Sequence, residues 1–411
     1  MKKLSAILLA LTLCISAQAA EKIIIDGINY QLDAKKQSAV VLPHPNRYQG
    51  DITIPEKVQK DSVNYYVEEI APAAFKDCNA LLSIVIPKTI KKIGANAFQG
   101  CSSLKSITIP KAVEALPINL FEGCSSLEEV VLPRTVKRMA FGTFRGCKSL
   151  KSIQIPASIS ELPNNLFEAC SNLKSVILPT GLTEIGNNVF RDCTSMDSIS
   201  IPTSVKKIGH NTFNGCTALE TVRIPTSMTT LPNSIFRGCT SLKFVTIPNS
   251  VSEIGREAFY GCTSLDSLRL PNSIKRFGAN CFKECNNLRY VNIPNGIVSI
   301  PSGAFESCTN LEDIQFPNSM KEIGNSAFRN CTSLATITFP SSMKELGGNA
   351  FADCQNLQQV NVLGAAPPKI SGNTFSKRTY REAILFVKTG ALDNYQINKT
   401  WNKFLDMQEA F

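Results

Sequence analysis

Thirteen cysteines, at positions 78, 101, 124, 147, 170, 193, 216, 239, 262, 285, 308, 331 and 354, follow one another at intervals of 23 residues. A cysteine can ligate metal, form a disulfide, act as a nucleophile or pack as a small apolar group. The spacing decides among these roles. A metal site gathers its ligands in one place, and no C-x-x-C pair or local histidine accompanies any of the thirteen. A disulfide column meets a geometric objection. Residues stacked one strand spacing apart keep their side chains parallel, so their Cβ atoms stay about 4.8 Å apart instead of the roughly 3.8 Å that a bridge prefers. The odd count points the same way. The series reads as a column of buried, reduced, weakly hydrogen-bonding thiols. Cys14 and Cys281 lie outside it; Cys281 precedes Phe282 in a small slot usually filled by alanine, which is a packing role.

Little else in the chain suggests chemistry. There are two histidines, His44 in LPHPN and His210 in IGHNTF, and neither has a recognisable catalytic partner. No G-x-S-x-G, P-loop or H-E-x-x-H occurs, and the carboxylates are dispersed. The expectation is a non-enzyme without metal or cofactor. The formal charge is +10, but the basic residues are scattered and form no long run, so nucleic acid is not an expected partner. Three Asp-Ser-aliphatic triplets, beginning at Asp61, Asp197 and Asp266, resemble an O-glycosylation signal of some exported bacterial proteins. The latter two obey the repeat pattern, which leaves Ser62 as the one candidate.

The elements that carry the cysteines repeat with them. Phenylalanine stands three residues before each cysteine, from Phe75 to Phe351, and proline recurs with the same period from Pro87 to Pro340. In residues 104–126, Leu104, Ile107 and Ile109 alternate as in a strand, and Pro110 ends it because proline cannot donate to a ladder. Val113 and Leu116 mark a second short extended segment, and Phe121 and Cys124 a tight helical or 3₁₀ corner. No single turn can bury these side chains, so the turns must stack into one solenoid core of about thirteen turns. At the N-terminus, a basic MKK, an apolar run too short to span a bilayer and Ala17-Gln18-Ala19 read as a signal peptide over 1–19, hence an exported chain. A capping β-hairpin is expected within 20–54, a surface loop around Asp61–Tyr66, repeats over 55–363 and a C-terminal cap over 364–411. In that second cap, a strand over Ala383–Val387 and a short helix over Thr389–Gln396 precede a lid of Trp401 and Phe404.

LxxIxIPxxVxxIGxxAFxxC, complete in the turn holding Ile93-Gly94, Ala97-Phe98 and Cys101, resembles the BspA-like class of bacterial leucine-rich repeat surface proteins. IDGINYQL and LFVKTGALDNYQINKTWNKF resemble that family's caps. The resemblance implies a right-handed superhelix, with a parallel inner β-sheet and short extended or 3₁₀ segments on the convex side. It also implies an adhesin-like role, toward host extracellular-matrix or cell-surface proteins or other bacteria. An envelope scaffold or glycan-binding module without a host partner is the alternative.

Such repeats bind mainly through exposed side chains of the inner strands, which are the second, third and fifth positions of L-x-x-I-x-I. Ser or Thr usually fills the third, but Phe244 and Tyr290 replace it in two turns. Arg223 and Arg269 occupy the fifth position of interleaved turns, with Lys243, Arg289, Asn292 and Gln315 around them. Exposed aromatics beside arginines have the composition of a binding hot spot. The expected partner is a protein or glycan, and no transmembrane span is expected after the signal segment.

Overall fold

The computed structural model describes residues 21–411, so the signal segment expected over 1–19 lies outside the described residues. Two parallel ladders build a solenoid of about 15 turns with little helix. One ladder uses the L-x-x-I-x-I segments. Ser106 pairs with Glu129, Ser152 with Ser175, Thr221 with Phe244 and Ser267 with Tyr290, so each rung lies 23 residues from the next. The other ladder takes two residues per turn: Leu162, Ile185 and Ile208 follow one another along it, as do Ile300, Ile323 and Leu346. Proline marks the passage between them. The Pro110 carbonyl accepts from Val113 N–H at 3.0 Å, a turn that swings the chain from the long strand to the short one.

The corner expected as helical or 3₁₀ is instead a run of hydrogen-bonded turns with two left-handed residues. They lie five residues and one residue before every cysteine of the series, from Ala73 and Asp77 to Asn349 and Asp353. Left-handed backbone interrupts a right-handed helix. It also explains the many Asn and Gly residues in those columns, since these types adopt positive φ at least cost. In this conformation alternate N–H groups point along the solenoid axis. Asn96, Phe98 and Gly100 donate to Ile118, Leu120 and Glu122 of the next turn at 3.0, 3.0 and 2.7 Å.

Every side chain of the repeat motif stacks on its own kind. The phenylalanine rings from Phe75 to Phe375 form a continuous column with centroids 5.1 to 5.8 Å apart. Beside it runs the thiol column. All fourteen cysteines among the described residues are free and buried. From Cys101 onward each Sγ of the series donates to the carbonyl of the phenylalanine 26 residues earlier, as Cys101 does to Phe75 at 3.0 Å and Cys216 to Phe190 at 3.0 Å. The same Phe75 carbonyl accepts the N–H of Cys78 in its own turn. The thiol therefore supplies a second donor to a carbonyl in the dry core, linking consecutive turns without a covalent bond.

The ends close differently. Strands β1 (Glu21–Ile25), β2 (Ile28–Asp33) and β3 (Ser38–Val41) form a three-stranded meander, one strand more than the expected hairpin. β4 (Gly50–Thr53) already pairs with Leu81–Val85 and so starts the long-strand ladder. The segment expected as a loop around Asp61–Tyr66 is a second hairpin, of β5 (Lys57–Lys60) and β6 (Val63–Ile70). Its central residues Asp61 and Ser62 have φ of 48° and 63°, the geometry that matches strand twist in a two-residue turn. Tyr48 lies against Phe75 and ends the ring column at 4.5 Å. At the other end α1 (Lys377–Glu382) and α2 (Leu392–Gln396) flank strand Ile384–Val387, and Asp406–Glu409 adds a last rung. Trp401 and Phe404 are buried over Phe375, and the indole Nε1 donates to the Pro368 carbonyl at 2.7 Å.

Close stacking leaves little room beside the glycines of one column. A Cβ on Gly278 would stand 2.3 Å from Arg256 N and 2.6 Å from its Cα, in the preceding turn. Ala140 and the prolines Pro117, Pro163, Pro232 and Pro301 occupy the same column, so the backbone opens there at some cost. Gly278→Ala is expected to destabilise by about 1–3 kcal/mol, the range of an overpacked contact. A lowered urea midpoint would show it; an unchanged midpoint would mean that the neighbouring turns separate freely.

Candidate functional site

The long-strand face presents three exposed columns, the second, third and fifth positions of each L-x-x-I-x-I segment. Between them, Leu104, Ile107 and Ile109 of a typical turn are buried, which holds the exposed side chains on a rigid sheet. The second column alternates acidic and basic residues over most of its length and neutralises itself between turns. Lys151 pairs with Glu128 at 2.7 Å, Lys243 with Glu220 at 3.2 Å and Arg289 with Glu312 at 3.0 Å. These pairs are exposed and add little stability.

The eight residues singled out from sequence share this face but fall into two groups. Phe244 is 67% exposed and Tyr290 52%, the largest side chains on the face. Phe244 pairs with Thr221, and Arg223 with Thr246 on the same two rungs. Arg223 and Arg269 enter no ion pair among the described residues. The other four are engaged by the solenoid itself. Lys243 and Arg289 are the paired cations just named. Asn292 is half-buried: its Oδ1 accepts from Leu270 N–H at 2.7 Å and its Nδ2 donates to the Leu270 carbonyl at 2.8 Å. Gln315 donates to Asp313 at 3.3 Å. Asn292 stitches two turns where the strand is short, a role that its position in the motif did not reveal.

Arg223 and Phe244 also border a shallow groove of about 710 Å³, with Lys174, Asp197, Ser200 and Thr221 as its polar lining. The groove lies where the rung at Ser198 shrinks to a single bridge with Thr221. There Ser198 Oγ donates to Asp197 Oδ1 at 2.7 Å. Sequence reasoning missed the groove, since the turn keeps the 23-residue spacing.

It also missed a pattern in the fifth column. Val85, Val131, Ile177, Arg223 and Arg269 occupy alternate turns and are all exposed, while Thr108, Gln154, Ser200 and Thr246 fill the turns between them, so that large and small residues alternate from Ile177 to Arg269. Counting every second repeat would have found it.

Neither histidine lies on this face as a catalytic group. His44 packs against Tyr48 at 5.3 Å, and its Nδ1 accepts from Asn46 N–H at 3.1 Å. His210 continues a ladder of side chains that accept backbone N–H from the next turn. Asn164 accepts from Asn187, Asn187 from His210, His210 Nδ1 from Asn233 and Asn233 from Arg256, at 2.7 to 3.1 Å. Among the described residues no group of three or more His, Cys, Asp or Glu is placed to hold a metal ion. No helix among them is long and apolar enough to cross a membrane. Ser62 is exposed at the β5–β6 tip.

The same architecture occurs in known proteins. A leucine-rich repeat protein from Bacteroides ovatus is 25% identical and superposes with a TM-score of 0.73, over 95% of this chain and all of that one. A leucine rich cell surface protein from Faecalibacterium prausnitzii is 26% identical with a TM-score of 0.61, over 84% of this chain and 95% of that one. No curated protein matches the chain. The model of the BspA type leucine rich repeat region, six copies long, matches in overlapping windows at 52–174, 116–243, 160–289, 232–358 and 277–396. With its 23-residue turns, stacked phenylalanines and thiol ladder, the chain belongs to the BspA-type leucine-rich repeat family.

Proposed function

We propose that this protein is an exported, non-enzymatic recognition protein, adhesin-like, that binds a macromolecular partner through its concave long-strand sheet. The observation that carries this reading is the exposure of Phe244 and Tyr290 where the other turns mostly place Ser or Thr, beside two arginines without ion-pair partners. Rigid aromatic rings bury apolar area at low entropic cost, and an unpaired guanidinium grips carboxylate or sulfate with two parallel bonds. Leucine-rich repeat proteins generally bind protein partners and are generally non-enzymatic. The Faecalibacterium relative, described as a cell surface protein, supports placement outside the cell.

The test is binding of the mature protein to an array of matrix proteins and glycans. Phe244→Ser and Tyr290→Ser should each weaken the captured ligand by more than about 1 kcal/mol, while Ser152→Ala changes little. Both variants should keep the parent's unfolding midpoint, because serine is the repeat's own residue there. Unchanged affinity in the double variant would move the site off this face, most directly to the β5–β6 hairpin.

A further inference from the structure

We propose that the long-strand face binds an extended polyproline II segment of another protein, acidic at every third residue and laid along the solenoid axis with one ligand turn per two rungs. The proposal rests on the concave-face reading and names the ligand class. Its ground is the alternation in the fifth column from Ile177 to Arg269, where the large exposed residues Ile177, Arg223 and Arg269 are separated by Ser200 and Thr246. Earlier in the column Gln154 is longer than Val85 and Val131, so the alternation starts at Ile177. Crowding does not impose the alternation, because the phenylalanine column stacks rings on every turn at 5.1 to 5.8 Å.

Two rungs span about 9.6 Å. A polyproline II helix has three residues per turn at about 3.1 Å each, hence about 9.3 Å. The mismatch accumulates to only about 0.6 Å over the two steps from Ile177 to Arg269. An α-helix repeats at about 5.4 Å and a strand at about 6.6 Å, and neither meets alternate rungs. Backbone groups of a sheet lie in its plane and side chains stand out from its face, so recognition comes from side chains, as it does when polyproline II segments dock on aromatic surfaces.

Chemistry fixes the ligand's edges. A threefold helix shows two of its three residue columns to a sheet. Arg223 and Arg269, two rungs apart, face a column of carboxylates. Phe244 and Tyr290, also two rungs apart in the neighbouring column, face a column of proline rings. The two protein columns are offset by one rung, about 4.8 Å, against about 3.1 or 6.2 Å between adjacent ligand edges, a difference that side-chain reach absorbs. Asp266, exposed in the second column, repels an acid displaced toward it and so keeps the acidic edge over the arginines.

The experiment titrates the mature protein with three probes: (Pro-Pro-Glu)4, (Gly-Gly-Glu)4 and a sulfated oligosaccharide. Expected is saturable binding of the proline peptide, at least tenfold tighter than the glycine peptide of equal charge. Arg223→Gln with Arg269→Gln, and Phe244→Ser with Tyr290→Ser, should each weaken it at least tenfold, with Ser152→Ala as a neutral control. Equal affinity for the two peptides, or binding of the oligosaccharide alone, overturns the proposal. Should Phe244→Ser with Tyr290→Ser abolish capture on the array while the proline peptide fails to bind, the ligand class is wrong and the concave-face reading stands.

Discussion

Phe213→Ala is expected to cost on the order of 3–5 kcal/mol, the range for truncating a buried aromatic side chain. Phe213 is fully buried in mid-solenoid, with Phe190 at 5.6 Å on one side and Phe236 at 5.8 Å on the other. Truncation removes both stacking contacts and leaves a cavity that the rigid neighbouring turns cannot close. The damage should also be local in a particular way. The Phe213 carbonyl accepts the Cys239 thiol at 3.0 Å, and its N–H donates to Ile235 at 3.0 Å, so the residue ties its turn to the next through backbone as well as ring. In a solenoid, stability is carried by contacts between neighbours. Hydrogen exchange should therefore accelerate first in the turns holding Phe190, Phe213 and Phe236, and last in the caps. A uniform rise along the chain would contradict a nearest-neighbour core.

The thiol column should be inert at neutral pH and should become a liability in alkali. Burial pushes five of these thiols up from their ordinary value of 9.0: Cys170 and Cys285 to about 12, and Cys193, Cys239 and Cys308 well above that ordinary value. The thiolate is the reactive species, so the native protein should consume almost none of a thiol reagent. Unfolding without reductant should release the fourteen thiols of the described residues. Mostly disulfides in that assay would overturn the ladder. The pH dependence follows from the same shifts. Well below pH 9 these five thiols are protonated in both states, and their contribution to stability is fully present. As pH rises beyond the ordinary value, the unfolded chain loses protons that the folded chain keeps, and stability falls until the folded pKa is passed. Each such thiol contributes about 1.4 kcal/mol per pH unit in that window. With so many aligned in one core, the unfolding midpoint should drop steeply between about pH 9 and 11. A flat midpoint across that window would mean that the thiols are exposed or already oxidised.

The sequence by itself determined the repeat, and with it the core. Period and residue type at Phe75 through Phe351, Cys78 through Cys354 and the intervening leucines required stacked turns, because no isolated turn can bury them. It also determined that the cysteines stay unbridged and that Phe244, Tyr290, Arg223 and Arg269 project from one face, since alternation along a strand assigns faces without knowledge of the fold. Tertiary structure decided what depends on the neighbouring turn. The left-handed pairs such as Asn96 and Gly100 were written in the composition of their columns, yet their purpose, sending N–H groups along the axis, exists only between turns. Lys243, Arg289 and Asn292 looked free in sequence and are held by Glu220, Glu312 and the Leu270 backbone, partners 22 or 23 residues away. The groove at Asp197 and Ser198 likewise is lined by residues of several neighbouring turns, and the β5–β6 hairpin depends on the turn geometry of Asp61 and Ser62. A repeating sequence fixes which side chains meet their own kind, because the period alone aligns them. It does not fix which unlike side chains meet, because that is settled by distances of a few ångströms between turns that only stacking defines.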